Sequence, residues 1–311
     1  MSLKKQALSG VFWSSLQLFG TQGIGLVVSI ILARLLLPAE FGLIAMLGIF
    51  MGLAATLINS GLTSSLIRAE ELDEEDYSTV FFFNLGVSCL LYIVFVLTAP
   101  WIAMFYNQPV LTNIVRLYSI TFIINYFSAI QITRLNKIMD FKTQLKFSIP
   151  SIVLGSIVGV VMAYLGYGVW SLVWSAIVQA LVSTLQFWYF SKWMPLFVFN
   201  IQKFKYHFHY GIKLMFSGIL DILFTNAYTI IIGKFFAPAQ VGYYNRAENS
   251  QMFPVSAINS VLGKVTFPFF ATIQNNAERL KSVHIKIFPR RYFYPSLNTM
   301  PCEAGGSMSV V

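Results

Sequence analysis

The chain has 311 residues, of which 57% are hydrophobic and only 11% are charged. An average soluble domain carries about 25% charged residues, so this composition excludes a soluble globular fold, which would lack the polar groups to cover its surface. It predicts an all-α polytopic membrane protein, since lipid solvates the outer face of such a protein. The net charge of +9 comes from basic residues between apolar runs, which favours the positive-inside rule over nucleic-acid binding.

The apolar runs predict eight membrane-spanning helices, because a spanning helix needs roughly 20 mostly apolar residues. In chain order they are expected at 10–33, 41–67, 78–100, 110–131, two within 147–191 on either side of the glycines at 166 and 168, 210–236 and 241–270. We expect Pro100 and Pro109 to break the long uncharged run between the third and fourth helices. The acidic run EELDEED at 70–76 is predicted to be a solvated turn.

The basic residues predict the orientation of these helices. Most of the 21 lysines and arginines fall before the first helix or in alternate connections. The positive-inside rule then places the N-terminus and those connections in the cytoplasm. Lys4 and Lys5, just ahead of the first apolar run, are typical of a signal anchor rather than a cleaved signal peptide.

One phrase occurs twice, as ILARLLLPAEFG at 31–42 and IIGKFFAPAQVG at 231–242, at an offset of 200 residues. Both copies fall where one helix turns into the next. Six predicted helices separate the helix that leads into the first copy from the helix that leads into the second. Six is even, so both copies enter the membrane with the same orientation. The sequence therefore predicts a six-helix lobe over 1–200 and the first two helices of a second, parallel-repeat lobe over 201–286. The two are expected to be related by a rotation of about 180° about the membrane normal.

Three segments resemble a known family. ILARLLLPAEFGLIAM is similar to the first hairpin of the polysaccharide-exporting branch of the MATE-like (MOP) flippase superfamily. VGYYNRAENSQMFP and RLNKIMDFKTQLKF resemble the eighth helix and a basic connection of the same branch, the Wzx/WzxC-type lipopolysaccharide biosynthesis proteins. The resemblance covers about residues 1–286 and implies flipping of undecaprenyl-pyrophosphate-linked oligosaccharide across the bacterial inner membrane. It implies no cofactor, and other polysaccharide-assembly membrane proteins as partners.

Alternatives remain at this stage. A cation-coupled multidrug exporter of the MATE type would share the predicted fold, with a proton or sodium as coupling ion. Exporters of the resembled polysaccharide branch usually have twelve or more helices, so a non-functional fragment of the flippase is a further alternative. The segment 287–311 has apolar runs too short to span, and is expected to be either a short cytoplasmic tail or an altered, truncated C-terminus. A membrane enzyme is disfavoured, because the external connections are short and nearly without titratable groups.

Charged residues inside predicted spans are the candidate site residues, because such charges usually face a cavity or a partner. Arg34, Arg116 and Lys234 lie near helix ends, where they either snorkel to the interface or line the substrate path. Asp221 lies in mid-helix, where a carboxylate must pair, take up a proton or bind a cation. His207 and His209 are two residues apart and splay on a helix, so no metal site is expected.

Arg246 and Glu248 lie in a polar stretch of the eighth helix, typical of a cavity wall. Arg246 is expected to meet substrate phosphate, because a guanidinium donates in a fork that fits phosphate oxygens. Counting residues from the turn at Pro238 puts Asp221 and Arg246 at depths that differ by roughly 13 Å, at 1.5 Å per residue. A cation site at Asp221 and a separate phosphate site at Arg246 are therefore expected.

The orientation is testable by reporter fusions. Fusions at Gln202 and Ser282 should report a cytoplasmic location, and fusions at Asn107 and Ala239 a periplasmic one, because the basic connections stay inside. Paired phosphatase and fluorescent-protein reporters at each position give the measurement. A periplasmic signal at Gln202 would contradict the helix count itself.

Overall fold

The computed structural model describes residues 3–59, 61–191, 193–249 and 251. Over these residues the chain is helical and contains no strand. The helices are α1 (Leu3–Leu35), α2 (Pro38–Asn59), α3 (Leu62–Arg68), α4 (Glu74–Tyr106), α5 (Leu111–Tyr118), α6 (Ile120–Lys137), α7 (Phe141–Tyr164), α8 (Val169–Ser191) and α9 (Ile201–Phe235), followed by α10, which is helical over residues 238–249. Among the described residues, α1, α2, α4, α7, α8 and α9 are long and apolar enough to cross a membrane. The predicted all-α polytopic membrane fold is confirmed.

The predicted division of the fifth and sixth helices is also confirmed. The turn between α7 and α8 contains Gly166 and Gly168 with φ of 83° and 56°. Both angles lie in the left-handed region that glycine adopts without steric cost. The two helices then pack closely, because an added Cβ at Gly155 would lie 2.8 Å from the backbone oxygen of Ser175.

The second predicted helix is shorter than its apolar run. The prediction of 41–67 as one helix is wrong, since α2 ends at Asn59 and α3 starts at Leu62. Gly61 has φ of 65° and interrupts the helix. A Cβ there would also lie 2.7 Å from the Cα of Gly211, so the interruption lets α3 approach α9 backbone to backbone.

The third predicted helix is longer than expected. Pro100 was predicted to end it but lies inside α4, which continues to Tyr106. An interior proline removes one backbone hydrogen bond, and neighbouring groups in a membrane bundle offset this loss. The chain leaves the helix at Asn107 instead, where φ is 53° and the backbone N–H bonds to carbonyls of the last turn.

The fourth predicted helix is interrupted and displaced. α5 and α6 meet at Ser119, whose hydroxyl donates to the carbonyl oxygen of Arg116 at 3.2 Å. Together the two pieces run from Leu111 to Lys137 rather than over 110–131. Short polar side chains that bond to the backbone compete with regular helix geometry.

The seventh predicted helix begins earlier than the predicted 210. Asn200 caps α9 by accepting hydrogen bonds from the backbone N–H groups of Gln202 and Lys203. Hydropathy identifies the part of a helix that lies within the membrane rather than the whole helix. The prediction therefore omitted the charged first residues of α9. Most of the predicted eighth helix and the segment 287–311 lie outside the described residues.

The helices pack around one central cluster. Buried Met46, Leu47, Ile114 and Val173 join α2, α5 and α8 there. α1 packs mainly against α7, whereas α2 packs against α9. Gly52 of α2 faces the side chain of Ile222, and Gly218 of α9 faces Thr56. Small residues on both helices allow this close approach.

The two copies of the repeated turn touch each other. A Cβ at Gly42 would clash with the carbonyl oxygen of Pro238 and lie 3.2 Å from the backbone nitrogen of Gly242. A Cβ at Gly242 would clash with the carbonyl oxygen of Pro38 and lie 3.3 Å from the backbone nitrogen of Gly42. The contact is reciprocal, as a twofold relation between two equivalent surfaces requires.

This contact predicts that Gly42 cannot carry a side chain. Gly42→Ala should destabilise the protein by about 1–3 kcal/mol, the usual cost of forcing extra atoms into a packed contact. Gly25→Ala is the matched control, because a Cβ at Gly25 meets nothing within 4 Å and alanine favours a helix. Thermal unfolding of the purified variants measures both. Equal melting temperatures for the two variants would contradict the close contact.

Candidate functional site

Arg246 lies beside the contact between the two turns. Its guanidinium is 3.9 Å from the centre of the Phe41 ring and donates a hydrogen bond to the hydroxyl of Ser29. These groups border a cavity of about 490 Å³ between α1 and α10, which Leu26 and Tyr243 also line. A cation over an aromatic face in a mostly apolar cavity is held by the ring quadrupole.

The repeat offers an internal comparison for this arginine. At the offset of 200 residues, Met46 takes its place in the first copy. Met46 is fully buried and packs against Gly233, whereas Arg246 is half-buried and lines a cavity together with Ala33. The equivalent positions of the two copies therefore differ in burial as well as in charge.

Asp221 lies on an exposed part of α9. Gly218 and Ile222 face α2, and Asp221 lies to one side of that contact face. Ser217 and Thr225, one helical turn away in each direction, are also exposed. These positions form a polar stripe along a predicted membrane span.

The remaining predicted site residues are dispersed. Lys234 donates to the carbonyl oxygen of Phe105 at 2.7 Å, and Arg116 donates weakly to the carbonyl oxygen of Val96 at 3.4 Å. Both side chains are exposed, as is Arg34, and Glu248 is half-buried on α10. Lys234 and Arg116 thus find backbone partners close to helix ends, as snorkelling cations do.

A second polar site lies at the opposite end of α9, and the sequence reading missed it. His207 is fully buried. Its Nδ1 is 2.8 Å from the hydroxyl of Ser65, and its Nε2 is 3.2 Å from Oδ1 of Asp76. A carboxylate only accepts hydrogen bonds, so Nε2–H donates to Asp76 and Nδ1 accepts from Ser65 in the neutral histidine. One imidazole thereby joins α3, α4 and α9.

An ionic network surrounds this histidine. Lys203, one turn earlier on α9, forms ion pairs with Asp73, with Glu75 at 3.4 Å and with Asp76 at 3.3 Å. Glu74 accepts hydrogen bonds from Arg134 at 3.0 Å and from the indole of Trp193 at 2.6 Å. We call the residues Asp73 to Asp76, Lys203 and His207 the ionic end of the bundle.

The ionic end corrects the reading of the acidic run as a solvated turn. Glu70 and Glu71 are exposed, but Asp76 is buried. Asp73 caps α4 in a capping box with Asp76, which satisfies backbone N–H groups at the helix start. Composition alone did not reveal this role, because the cationic partner lies more than 120 residues later in the chain.

The Asp73 carboxylate is held in its ionised form. The hydrogen bond from Lys203, followed by that with Asp76, lowers the pKa of Asp73 below its usual range. A carboxyl with a lowered folded pKa adds stability above its unfolded pKa of about 3.9, and that stability is lost as the pH falls through the folded value. The link between α4 and α9 therefore persists at neutral pH.

The ionic end borders a large cavity. Its volume is about 1510 Å³, and its lining includes the basic residues Arg68, Lys205 and Lys213 and the acidic residues Glu70 and Glu71. His209 also lines it, whereas His207 is buried behind it. The expected splay of the two histidines is confirmed. Among the described residues no group of three or more histidine, cysteine or acidic side chains is placed to hold a metal ion.

The buried histidine predicts a stability effect. His207→Ala should cost about 1–3 kcal/mol, because it leaves the buried groups of Ser65 and Asp76 without this partner. His209→Ala is the matched control, since its exposed side chain should change stability by less than about 0.5 kcal/mol. Thermal unfolding of both purified variants gives the comparison. A His207→Ala variant with the same melting temperature as the wild type would show that the hydrogen bonds of His207 do not stabilise the fold.

Comparison with known proteins identifies a family and several relatives. Residues 31–291 match the family described as polysaccharide biosynthesis protein. The chain is 27% identical over 291 residues to the lipopolysaccharide biosynthesis protein WzxC of Escherichia coli, covering 90% of this chain and 58% of WzxC. It is 27% identical over 275 residues to the succinoglycan biosynthesis transport protein ExoT of Rhizobium meliloti, covering 88% of this chain and 56% of ExoT.

A third relative matches over a similar length. The teichuronic acid biosynthesis protein TuaB of Bacillus subtilis is 29% identical over 272 residues, covering 87% of this chain and 56% of TuaB. The chain thus spans little more than half the length of these three relatives. No solved structure matches it.

Proposed function

This chain belongs to the polysaccharide biosynthesis protein family, and we propose that it takes part in moving lipid-linked oligosaccharide precursors from the inner to the outer leaflet of the bacterial inner membrane. The six described helices that can cross a membrane support this role. So does the similarity to ExoT, which is a transport protein of succinoglycan biosynthesis. The proposed substrate is an undecaprenyl-pyrophosphate-linked oligosaccharide.

The reciprocal contact of Gly42 and Gly242 is the observation that carries the proposal. It supports two parallel lobes, 1–200 and 201–286, related by a twofold axis that passes between the two turns. Transporters built from such repeats place the substrate path between the lobes and expose it alternately to each side. Segment 287–311 is proposed to lie outside the spans.

The two ends of α9 have different roles in this proposal. A helix of 35 residues is about 50 Å long at 1.5 Å per residue, so the turn contact and the ionic end lie at opposite membrane surfaces. With the N-terminus in the cytoplasm, the ionic end faces the cytoplasm. There Lys203 and His207 hold α9 on α4, and this link must break if that side opens to admit substrate.

Charges on α9 and α10 are proposed to contact the substrate and a coupling ion. Arg246 would bind the pyrophosphate, with phosphate oxygens replacing Ser29 as acceptor. Asp221 would hold a coupling proton or sodium ion at a separate depth. Arg34, Arg116, Lys234 and Glu248 are proposed to line the remainder of the path, where exposed cations favour an anionic headgroup.

The charge of Arg246 is testable apart from its packing. Arg246→Met introduces the residue that the repeat itself carries at position 46, so a long unbranched side chain is kept and the charge is removed. We expect this variant to insert into the membrane and to lose transport of a fluorescent lipid-linked oligosaccharide in proteoliposomes. Arg246→Ala should lose it equally, and Arg246→Lys should retain part of it, because lysine keeps the charge without the forked geometry.

Transport by these variants distinguishes a role of the Arg246 charge from a role of its packing. Transport by Arg246→Met at the wild-type rate would show that the charge is not used. A wild-type protein that moves no lipid-linked oligosaccharide, although it is correctly inserted, would refute the proposed function itself.

A further inference from the structure

An uncharged polar face runs along α5 and α6. Tyr118, Thr121, Asn125, Thr133 and Asn136 recur at spacings close to three or four residues, or their multiples, and so share one side of the helix. The face lies between α1, which packs against α7, and α2, which packs against α9. We call it the neutral groove.

Two cavities make up the neutral groove. One, of about 460 Å³, lies against α2 and α3, where Asn59 and Thr63 line it. The other, of about 430 Å³, lies against α1, α7 and α8, where Gln17 and Gln179 line it. Tyr118, Thr121 and Asn125 line both cavities, so the two are adjacent along the helix. All of the described side chains lining them are uncharged.

The groove contains a buried polar atom that the protein does not satisfy. Gln17 is 8% exposed, and its Nε2 donates to the hydroxyl of Ser148 at 3.4 Å. Its Oε1 has no hydrogen-bond partner among the described residues. A buried amide oxygen without a partner costs about 1–3 kcal/mol, so this atom points to a donor supplied by a ligand or by water.

The other groups of the groove offer both donors and acceptors. The hydroxyls of Thr121, Ser148 and Ser151 donate to backbone carbonyls three or four residues earlier in the chain at 2.6, 2.8 and 2.8 Å. Each such hydroxyl oxygen keeps lone pairs that can accept. Asn125 and Gln179 are exposed amides, each with two donors and an acceptor.

This chemistry fits a neutral, hydroxyl-rich ligand. A groove without charge gives no Coulomb attraction to phosphate or to a metal ion, whereas amides and hydroxyls match the donors and acceptors of sugar rings. Cavities of about 300–1,000 Å³ are typical of small-molecule sites. We propose that the neutral groove binds the uncharged sugars of the oligosaccharide, an inference that rests on the proposed function and adds a glycan site separate from the cationic path.

Binding in lipid nanodiscs tests the groove and avoids detergents with sugar headgroups. The probes are undecaprenyl pyrophosphate carrying four neutral hexoses and the same lipid pyrophosphate without sugar. Wild-type protein should bind the glycosylated probe at least about tenfold more tightly, since a few good hydrogen bonds supply that factor. Asn125→Leu and Gln179→Leu should each remove most of this preference and leave binding of the bare lipid unchanged.

Asn113→Leu is the matched control, because this exposed residue of α5 lines neither cavity. It should keep the full preference. Thermal unfolding identifies any variant that fails to fold. If Asn125→Leu fails to fold, Gln179→Leu still tests the groove, since Gln179 lies on a different helix.

Three results would overturn the inference: no preference in the wild type, full preference in both groove variants, or equal loss of both probes. A sodium-dependent change in stability that both groove variants abolish, with no sugar preference, would assign the groove to a cation instead. Transport is measured separately in proteoliposomes. A wild type that prefers the glycosylated probe but does not move it refutes the proposed function and leaves the groove standing.

Discussion

The structure depends on one backbone contact, at which Gly42 and Gly242 each lie against the carbonyl of the proline that starts the other copy's helix. No side chain fits between the two turns, so the spacing of α2 and α10 is set by main-chain atoms. The side chains further along α2 and α10 can then differ between the two copies. Met46 and Arg246 show this, because the equivalent position of the repeat is apolar in one copy and cationic in the other.

The opposite end of α9 is held by a different kind of interaction. Whereas the turns meet through invariable backbone atoms, α9 meets α4 through Lys203, His207 and the carboxylates at the start of α4. The partly exposed ion pair of Lys203 with Asp73 can exchange with solvent, while a backbone contact between glycines cannot be replaced by water without opening a void. In the proposed function, a rocking motion between the two lobes would use these ends as a fixed pivot and a separable link.

Searching the sequence for charges located only part of the polar chemistry. Asp221 and Arg246 stood out because charge within an apolar run is conspicuous. The groove residues Thr121, Asn125 and Gln179 did not stand out, because hydroxyls and amides occur in many membrane helices. They indicate a site only when several of them face the same cavity. Ser65, Asp76 and His207 were missed for the same reason, being brought together from three separate segments.

The sequence by itself determined the fold class, most helix positions and the family, because lipid demands long apolar runs and because the repeated phrase survives at a constant offset. Helix ends were decided locally by features that hydropathy does not measure, such as the cap at Asn200 and the positive φ of Gly61. Only the tertiary structure decided which polar groups meet. Contacts such as Asp76 with His207, or Gly42 with Pro238, join residues more than 100 positions apart, and their distances depend on how helices pack rather than on any local pattern.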